Sequence, residues 1–346
     1  MRCLVAGGAG YIGAHMVRAL VRAGHAVAVL DNLATGHREA VPGSVPLFEV
    51  DLLDREATAQ AVAEAAPEAV LHFSARSLVG ESVADPARYY ANNVTGTLNL
   101  LEAMRQVGCR RFVFSSTAAL FGEPERLPID EDHPVRPINP YGASKAMVER
   151  LLEDFDAAYG LRYVSLRYFN AAGAAAEGDL GEDHRPETHL IPLVLAAAAG
   201  RRPAITVFGT DYPTEDGTCV RDYIHVEDLC DAHLLALDHL AAGGGSRRYN
   251  LGNGAGFSVR QVIDTAARVT GRPVPVEEGP RRPGDPAVLV ADSRRIREEL
   301  GWRPRRPELE TIVAHAWAWH RDHPEGFAGR PASGSPAGGA GAGPSR

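Results

Sequence analysis

Lysine is almost missing from this 346-residue chain: of its 36 basic residues, 35 are arginine and one, Lys145, is not. Where arginine is so strongly preferred, a single retained ammonium points to a site that needs a compact point charge rather than a planar fork. Cysteine is scarce as well. Cys3, Cys109, Cys219 and Cys230 form no CxxC and have no histidine partner at metal spacing. A disulfide framework and a cysteine-based metal module are thereby excluded, and reduced thiols in a cytoplasmic protein are expected. No stretch approaches the ~18 apolar residues that suggest a membrane span. There is no basic stripe either: the net charge is −8, and the arginines at 281–282 and 303–306 are short clusters. These read as local anion contacts or solvated faces, and nucleic acid is excluded as a partner. Internal repeats are also absent.

What the chain does contain is ordinary for a globular protein, with 45% hydrophobic and 23% charged residues. Short apolar runs at 2–6, 26–31, 68–73 and 111–116 read as buried parallel strands. Helical patterns lie between and after them, near 11–23, 54–65, 86–107 and 141–158, and "LRYVSLRYFN" (161–170) reads as a further strand. The alternation predicts a doubly wound α/β sheet of the Rossmann-like kind, with ligands at the carboxyl ends of its strands. Residues 1–170 are expected to form this dinucleotide-binding domain. From 171 to 327 the texture changes to more Gly, Pro and Arg, which predicts a smaller α/β lobe, with some segments returning to complete the sheet. Residues 328–346, "AGRPASGSPAGGAGAGPSR", have almost nothing to bury and are expected to be disordered.

"GGAGYIG" follows the first strand and opens the first helix, with glycines at 7, 8, 10 and 13. The apolar stretch around it could pass for a signal peptide, but the glycines fall where a nucleotide loop needs them. They allow a tight turn and let the backbone approach a pyrophosphate at a helix N-terminus. Asp31 ends the second strand, 18 residues after Gly13. A carboxylate there holds adenosine ribose hydroxyls and repels a 2′-phosphate, so NAD is favoured over NADP.

Tyr141 and Lys145 stand four apart on a predicted helix and share one face. A phenol with a pKa near ~10 is a poor base, and an adjacent ammonium is expected to lower that value. A third participant is expected at a strand end, where "FVFSSTAALFG" offers Ser115, Ser116 and Thr117.

At this point the chain resembles the extended short-chain dehydrogenase/reductase superfamily and, within it, the UDP-glucose 4-epimerases. The likeness runs from Met1 to about Phe327 and is carried by "GGAGYIGAH", "DNLATGHREAV", "HFSARSLVGESV", "YYANNVTGTLNLLEAM", "SSTAALFG", "NPYGASKAMVE", "LRYFNAAGA" and "DYPTEDGTCVRDYIHVEDL". The resemblance implies Tyr141 as catalytic base, Lys145 as its electrostatic partner and ribose ligand, and Thr117 as the hydroxyl beside the sugar O4. It implies NAD against Gly7, Gly10, Tyr11, Ile12 and Gly13, with Asp31 and Asn32 at the ribose and Asp51 and Leu52 at the adenine. Phe73, Ser74, Ala75, Asn92 and Phe169 line the rest of the cofactor cleft. Asn170, His189, Phe208, Arg221, Arg282 and Asp285 match positions that hold the UDP. Two features depart from some relatives: they carry Asn at the place of His189, and a lysine near Arg76–Ser77 is absent here.

The implied chemistry is epimerisation at C4 through a transient 4-keto sugar, with tightly held NAD regenerated in each cycle. A dehydratase or decarboxylase shares the fold and the Tyr–Lys pair but uses acidic groups after the strand-end hydroxyl, where this chain has Ala118 and Ala119. A non-catalytic dinucleotide sensor would not need Thr117, Tyr141 and Lys145 together. Relatives pair the helices near 91–107 and 141–158 into a dimer, so a homodimer is expected. Leu289, four residues beyond Asp285, matches the wall of the sugar pocket near C2, or is a plain core residue of a short strand. If it is the wall, UDP-glucose and UDP-galactose are the main pair, with weaker turnover of N-acetylated sugars.

Overall fold

The computed structural model describes residues 1–282 and 285–329. Six strands follow the first half of the chain: β1 (Arg2–Ala6), β2 (Ala26–Asp31), β3 (Leu47–Glu49), β4 (Ala69–His72), β5 (Arg111–Thr117) and β6 (Arg162–Tyr168). A seventh, Arg247–Leu251, arrives from much later and pairs with β6. All pairings are parallel, and from this late strand the order runs β6, β5, β4, β1, β2, β3. The fold is therefore a doubly wound α/β sheet. Its order reverses between β1 and β4, and that crevice at the carboxyl ends is where such sheets bind ligands.

Strand alternation sends side chains to both faces, and both are covered. Val5, Val113, Val164 and Leu166 pack under helices Tyr11–Arg22 and Val226–Ala241. Leu4, Val70, Phe112 and Phe114 pack under helices Arg55–Ala65, Gly96–Gln106 and Pro140–Tyr159. The smaller lobe is built from short strands: Asn170–Ala172 beside Tyr223–His225, Ile205–Phe208 beside Val276–Gly279, and Val220–Arg221 between Phe257–Ser258 and Val288–Leu289.

Three details differ from the sequence expectation. The helix expected over 86–107 is a short turn at Pro86–Tyr89, a π-helical segment at Tyr90–Thr95 and an α-helix at Gly96–Gln106. The wider π turn carries Asn92 and Asn93 toward the sheet end, where Asn93 accepts from Arg76 N (2.9 Å) and donates to Arg76 O (3.0 Å) and Ser144 Oγ (2.9 Å). Three-residue β3 is too short to show a period in the sequence. The predicted tail begins at 328, but the chain makes a last turn at Gly326–Gly329 with Phe327 buried; residues 330–346 lie outside the described residues.

Candidate active site

A cleft of about 400 Å³ opens at the β1–β4 crevice. Gly7 forms its floor with φ +82°, and a Cβ there would lie 2.5 Å from Ser74 N, so β4 exits directly against the glycine turn. Gly13 is equally closed: a Cβ would stand 2.0 Å from Gly7 O. Gly10 is different. An added Cβ would meet only Gly7 O, at 3.5 Å, and the space beside it belongs to the cleft. Two glycines are thus required by packing within the protein, and the third leaves room for something outside it.

Asp31, 7% exposed, accepts from Ala9 N at 3.0 Å and Leu33 N at 2.8 Å. Burial raises its pKa, and the two amides oppose that rise. Asn32 donates to Asp51 Oδ2 at 3.0 Å, and these two with Leu52 form the far wall. Phe73, Ser74, Ala75 and Asn92 line the near side. These residues fit a dinucleotide: an open backbone cradle beside a helix N-terminus, with a fixed carboxylate lining the same cleft. The Tyr11 side chain points elsewhere, donating to Gly173 O at 2.7 Å, and Ile12 packs into the core. At both positions the helix N-terminal backbone, not the side chain, faces the glycine turn.

The three residues expected to take part in the chemistry, Thr117, Tyr141 and Lys145, lie near the end of β5. Thr117 is 6% exposed and accepts from Ala119 N at 3.1 Å. Asn139 caps the helix Pro140–Tyr159 by accepting from Gly142 N at 2.9 Å, which sets Tyr141 in the first turn. The Tyr141 hydroxyl meets Thr117; burial raises its pKa and this hydrogen bond opposes the rise. Lys145, 3% exposed, donates to Ser115 O at 2.8 Å and lies 4.8 Å from the centre of the Phe114 ring. Burial draws it down to about 7, with Glu149 opposing. The expectation that Lys145 lowers the Tyr141 pKa is not what this geometry gives, because the ammonium is bonded to the Ser115 carbonyl and burial dominates the phenol.

The remaining candidates gather on the small lobe. Arg221 pairs with Asp285 and donates to Val220 O at 2.7 Å. Arg282 stacks on Phe208 at 4.0 Å. Leu289 is the register partner of Arg221 and packs, with Phe169, against Ala118, Leu120 and Phe121 beside Thr117. Asn170 N donates to Asp222 O at 3.1 Å, joining the two short strands there. His189 lines the dinucleotide cleft and bonds to buried Glu182, as does His184 at 3.0 Å. Burial alone would neutralise His189, but the Glu182 and Glu187 carboxylates hold its pKa above the ordinary range. Sequence reasoning missed Asn93, Glu182 and His184, whose signal is only three-dimensional.

Known proteins share this fold. The model of the NAD dependent epimerase/dehydratase family matches residues 3–252. A UDP-glucose 4-epimerase of Streptomyces lividans is 53% identical, covering 94% of this chain and 97% of its own. The structure of UDP-glucose 4-epimerase from Brucella ovis in complex with NAD is 50% identical, with a TM-score of 0.89 over 91% of this chain and 97% of that one. The UDP-Glc/GlcNAc 4-epimerase of Campylobacter jejuni is 42% identical, with a TM-score of 0.82 over 92% and 99%. With residues 3–252 matched by the family model and half its residues shared with relatives along nearly its whole length, this chain belongs to the NAD dependent epimerase/dehydratase family.

Proposed function

We propose that this protein interconverts UDP-galactose and UDP-glucose by epimerisation at C4, using tightly held NAD. The observation that carries the reading is that Tyr141 meets Thr117 and Lys145 donates to Ser115 O at the carboxyl end of β5, in the sheet whose β1–β4 crevice opens as a cleft suited to a dinucleotide. NAD, held by the glycine turn and Asp31, would supply a reversible hydride acceptor. Tyr141 accepts the O4 proton, and its place in the first helical turn puts the positive end of the helix dipole beside the phenolate. Thr117 holds the same oxygen, and Lys145 places its ammonium at the ribose. The 4-ketose then rotates about its diphosphate link while Arg221, braced by Asp285, and Arg282 keep the diphosphate in place. Ala118 and Ala119 offer no second acid or base, which favours epimerisation over dehydration. The test is incubation with UDP-galactose and no added nucleotide. UDP-glucose should form, and NAD should be released on denaturation; NAD-loaded protein that leaves the sugar unchanged would overturn the reading in favour of a sensor.

Leu289 is the proposed wall near C2, because it joins the Arg221 strand to the turn after Thr117. A leucine leaves more room than a tyrosine, so slow turnover of the N-acetylated pair is expected. Leu289→Tyr should suppress that activity far more than the plain reaction, since added bulk meets only the acetamido group. Equal loss of both activities, or a wild type inert to N-acetylated sugars, removes Leu289 as the gate.

We also place the protein in the cytoplasm as a homodimer. Its four cysteines are free and buried, and no described helix is long and apolar enough to cross a membrane. Val83, Leu98 and Met147 stay exposed on neighbouring helices, a surface suited to a second copy. Light scattering should give about twice the 36.9 kDa chain mass; a monomer at micromolar concentration refutes the dimer.

A further inference from the structure

The helix that carries Tyr141 and Lys145 holds another buried charge, which the scheme above leaves unused. Glu149 stands one turn beyond Lys145 on the same face and is 4% exposed. Its Oε1 accepts from Ser116 Oγ at 2.7 Å and Arg167 Nε at 2.9 Å, and its Oε2 accepts from Arg167 Nη2 at 2.5 Å. Arg167 is 2% exposed. Ser116 and Arg167 face each other across β5 and β6, one step before the Thr117–Tyr168 pair. A single carboxylate therefore ties the helix to the last steps of both strands. Around it the interface is apolar, with Phe112, Phe114, Val148 and Leu152. An ion pair so deeply buried contributes little net stability, because desolvating both charges offsets their attraction. Its placement asks for another reason.

We propose that Glu149 is a positioning residue for the reaction: it keeps the neighbouring lysine in its ammonium form and holds that ammonium in line with Thr117 and Tyr141. The inference rests on the reading of Tyr141 and Lys145 as the reacting pair. Burial draws Lys145 down to about 7, and Glu149 is the group that opposes it. The other groups around the two are accounted for. β4 presents His72, which burial first and Lys145 second hold neutral, with its pKa near about 3. From β6 come Arg167, Tyr163 and Tyr168, and the Tyr168 hydroxyl meets Ser115 Oγ. The edge strand presents Arg248, whose Nε lies 3.4 Å from Glu149 Oε2 and which also pairs with Glu153. β5 offers only hydroxyls at Ser115, Ser116 and Thr117. Removing the Glu149 charge leaves two guanidiniums less compensated, so both consequences push Lys145 toward the neutral amine. An amine whose pKa falls is neutral over more of the alkaline side, so activity that needs the ammonium disappears at lower pH.

The experiment is the pH dependence of kcat for UDP-galactose in the NAD-loaded enzyme, with NAD content measured for each variant. In Glu149→Gln the alkaline limb should move down by about one pH unit or more, with kcat at neutral pH reduced up to about tenfold and KM little changed. Glu149→Asp retains the charge and should return the limb toward the wild-type position. Where the Gln variant does not fold, Glu149→Gln with Arg167→Met removes the orphaned guanidinium and restores a packed interface; the lost guanidinium offsets part of the effect, so its limb should shift in the same direction by less. A wild-type profile in either Gln background means the pair is structural only and overturns the proposal. Tyr141→Phe is assayed alongside. If it abolishes turnover while the Glu149→Gln profile overlays the wild type, this inference alone has failed; if it leaves turnover intact, the reading of the reacting pair has failed as well.

Discussion

Tyr141→Phe is expected to cut UDP-galactose turnover by about 10²-fold or more while leaving bound NAD in place. The substitution keeps the ring and removes only the hydroxyl that meets Thr117. Nothing in the glycine turn or at Asp31 touches that hydroxyl, so cofactor content should match the wild type. Lys145→Arg should lose most activity by a different route. The ammonium donates to Ser115 O in a slot beside the Phe114 ring, and a wide planar fork cannot occupy that slot while also reaching a ribose. The measurement is UDP-glucose formed per enzyme, with NAD released on denaturation as the control. Near-normal turnover in Lys145→Arg would show that the lone lysine is a coincidence of composition; near-normal turnover in Tyr141→Phe would remove Tyr141 as the base.

The second large effect is a contrast between two glycines three residues apart. Gly13→Ala drives a Cβ to 2.0 Å from Gly7 O and 2.8 Å from Gly7 C, so backbone must move, at a cost of about 1–3 kcal/mol or more. Gly10→Ala meets nothing closer than 3.5 Å. Its backbone, at φ −80° and ψ 172°, suits any residue, and alanine at a helix N-cap costs about 1 kcal/mol or less relative to glycine. With NAD stripped from all samples, thermal unfolding should show a large loss for Gly13→Ala and a small one for Gly10→Ala. Reconstitution should then fail for Gly10→Ala, because the new methyl occupies the approach to a pyrophosphate. Stripping matters, since a bound ligand would add its own stabilisation to the comparison. Gly10→Ala that takes up NAD normally would place the pyrophosphate elsewhere.

These expectations depend on features that differ in how far the sequence discloses them. The glycine turn, Asp31 and the Tyr141–Lys145 spacing are local: each is fixed within one strand–turn–helix unit, and a short window contains the signal. β1, β2, β4 and β5 were legible for the same reason, as apolar runs with turn residues between them. That later segments return to the sheet was expected, but not that Arg247–Leu251 is one of them, because its place beside β6 is decided by packing across a whole lobe. Nor was the π segment at Tyr90–Thr95, whose wider turn sits among Asn93, Arg76 and Ser144. Glu149 with Arg167 and Arg221 with Asp285 are pairings between distant parts of the chain, and no spacing rule links their members. The ionisation of Tyr141 depended on burial, which a helical wheel does not contain.

The late arrival of Arg247–Leu251 and of the helix Val226–Ala241 has a consequence for synthesis. When the first 170 residues have left the ribosome, β1 to β6 are complete, yet Val113, Val164 and Leu166 still lack the helix that covers them. The edge of β6 also lacks its neighbour. A nascent chain at that stage carries a bare apolar surface beside an unpaired strand edge, the combination most open to association with other chains. A division at residue 170, as the change in sequence texture suggests, would therefore not separate two units that mature independently. The chain must pass through the exit as far as Leu251 before the large sheet can close.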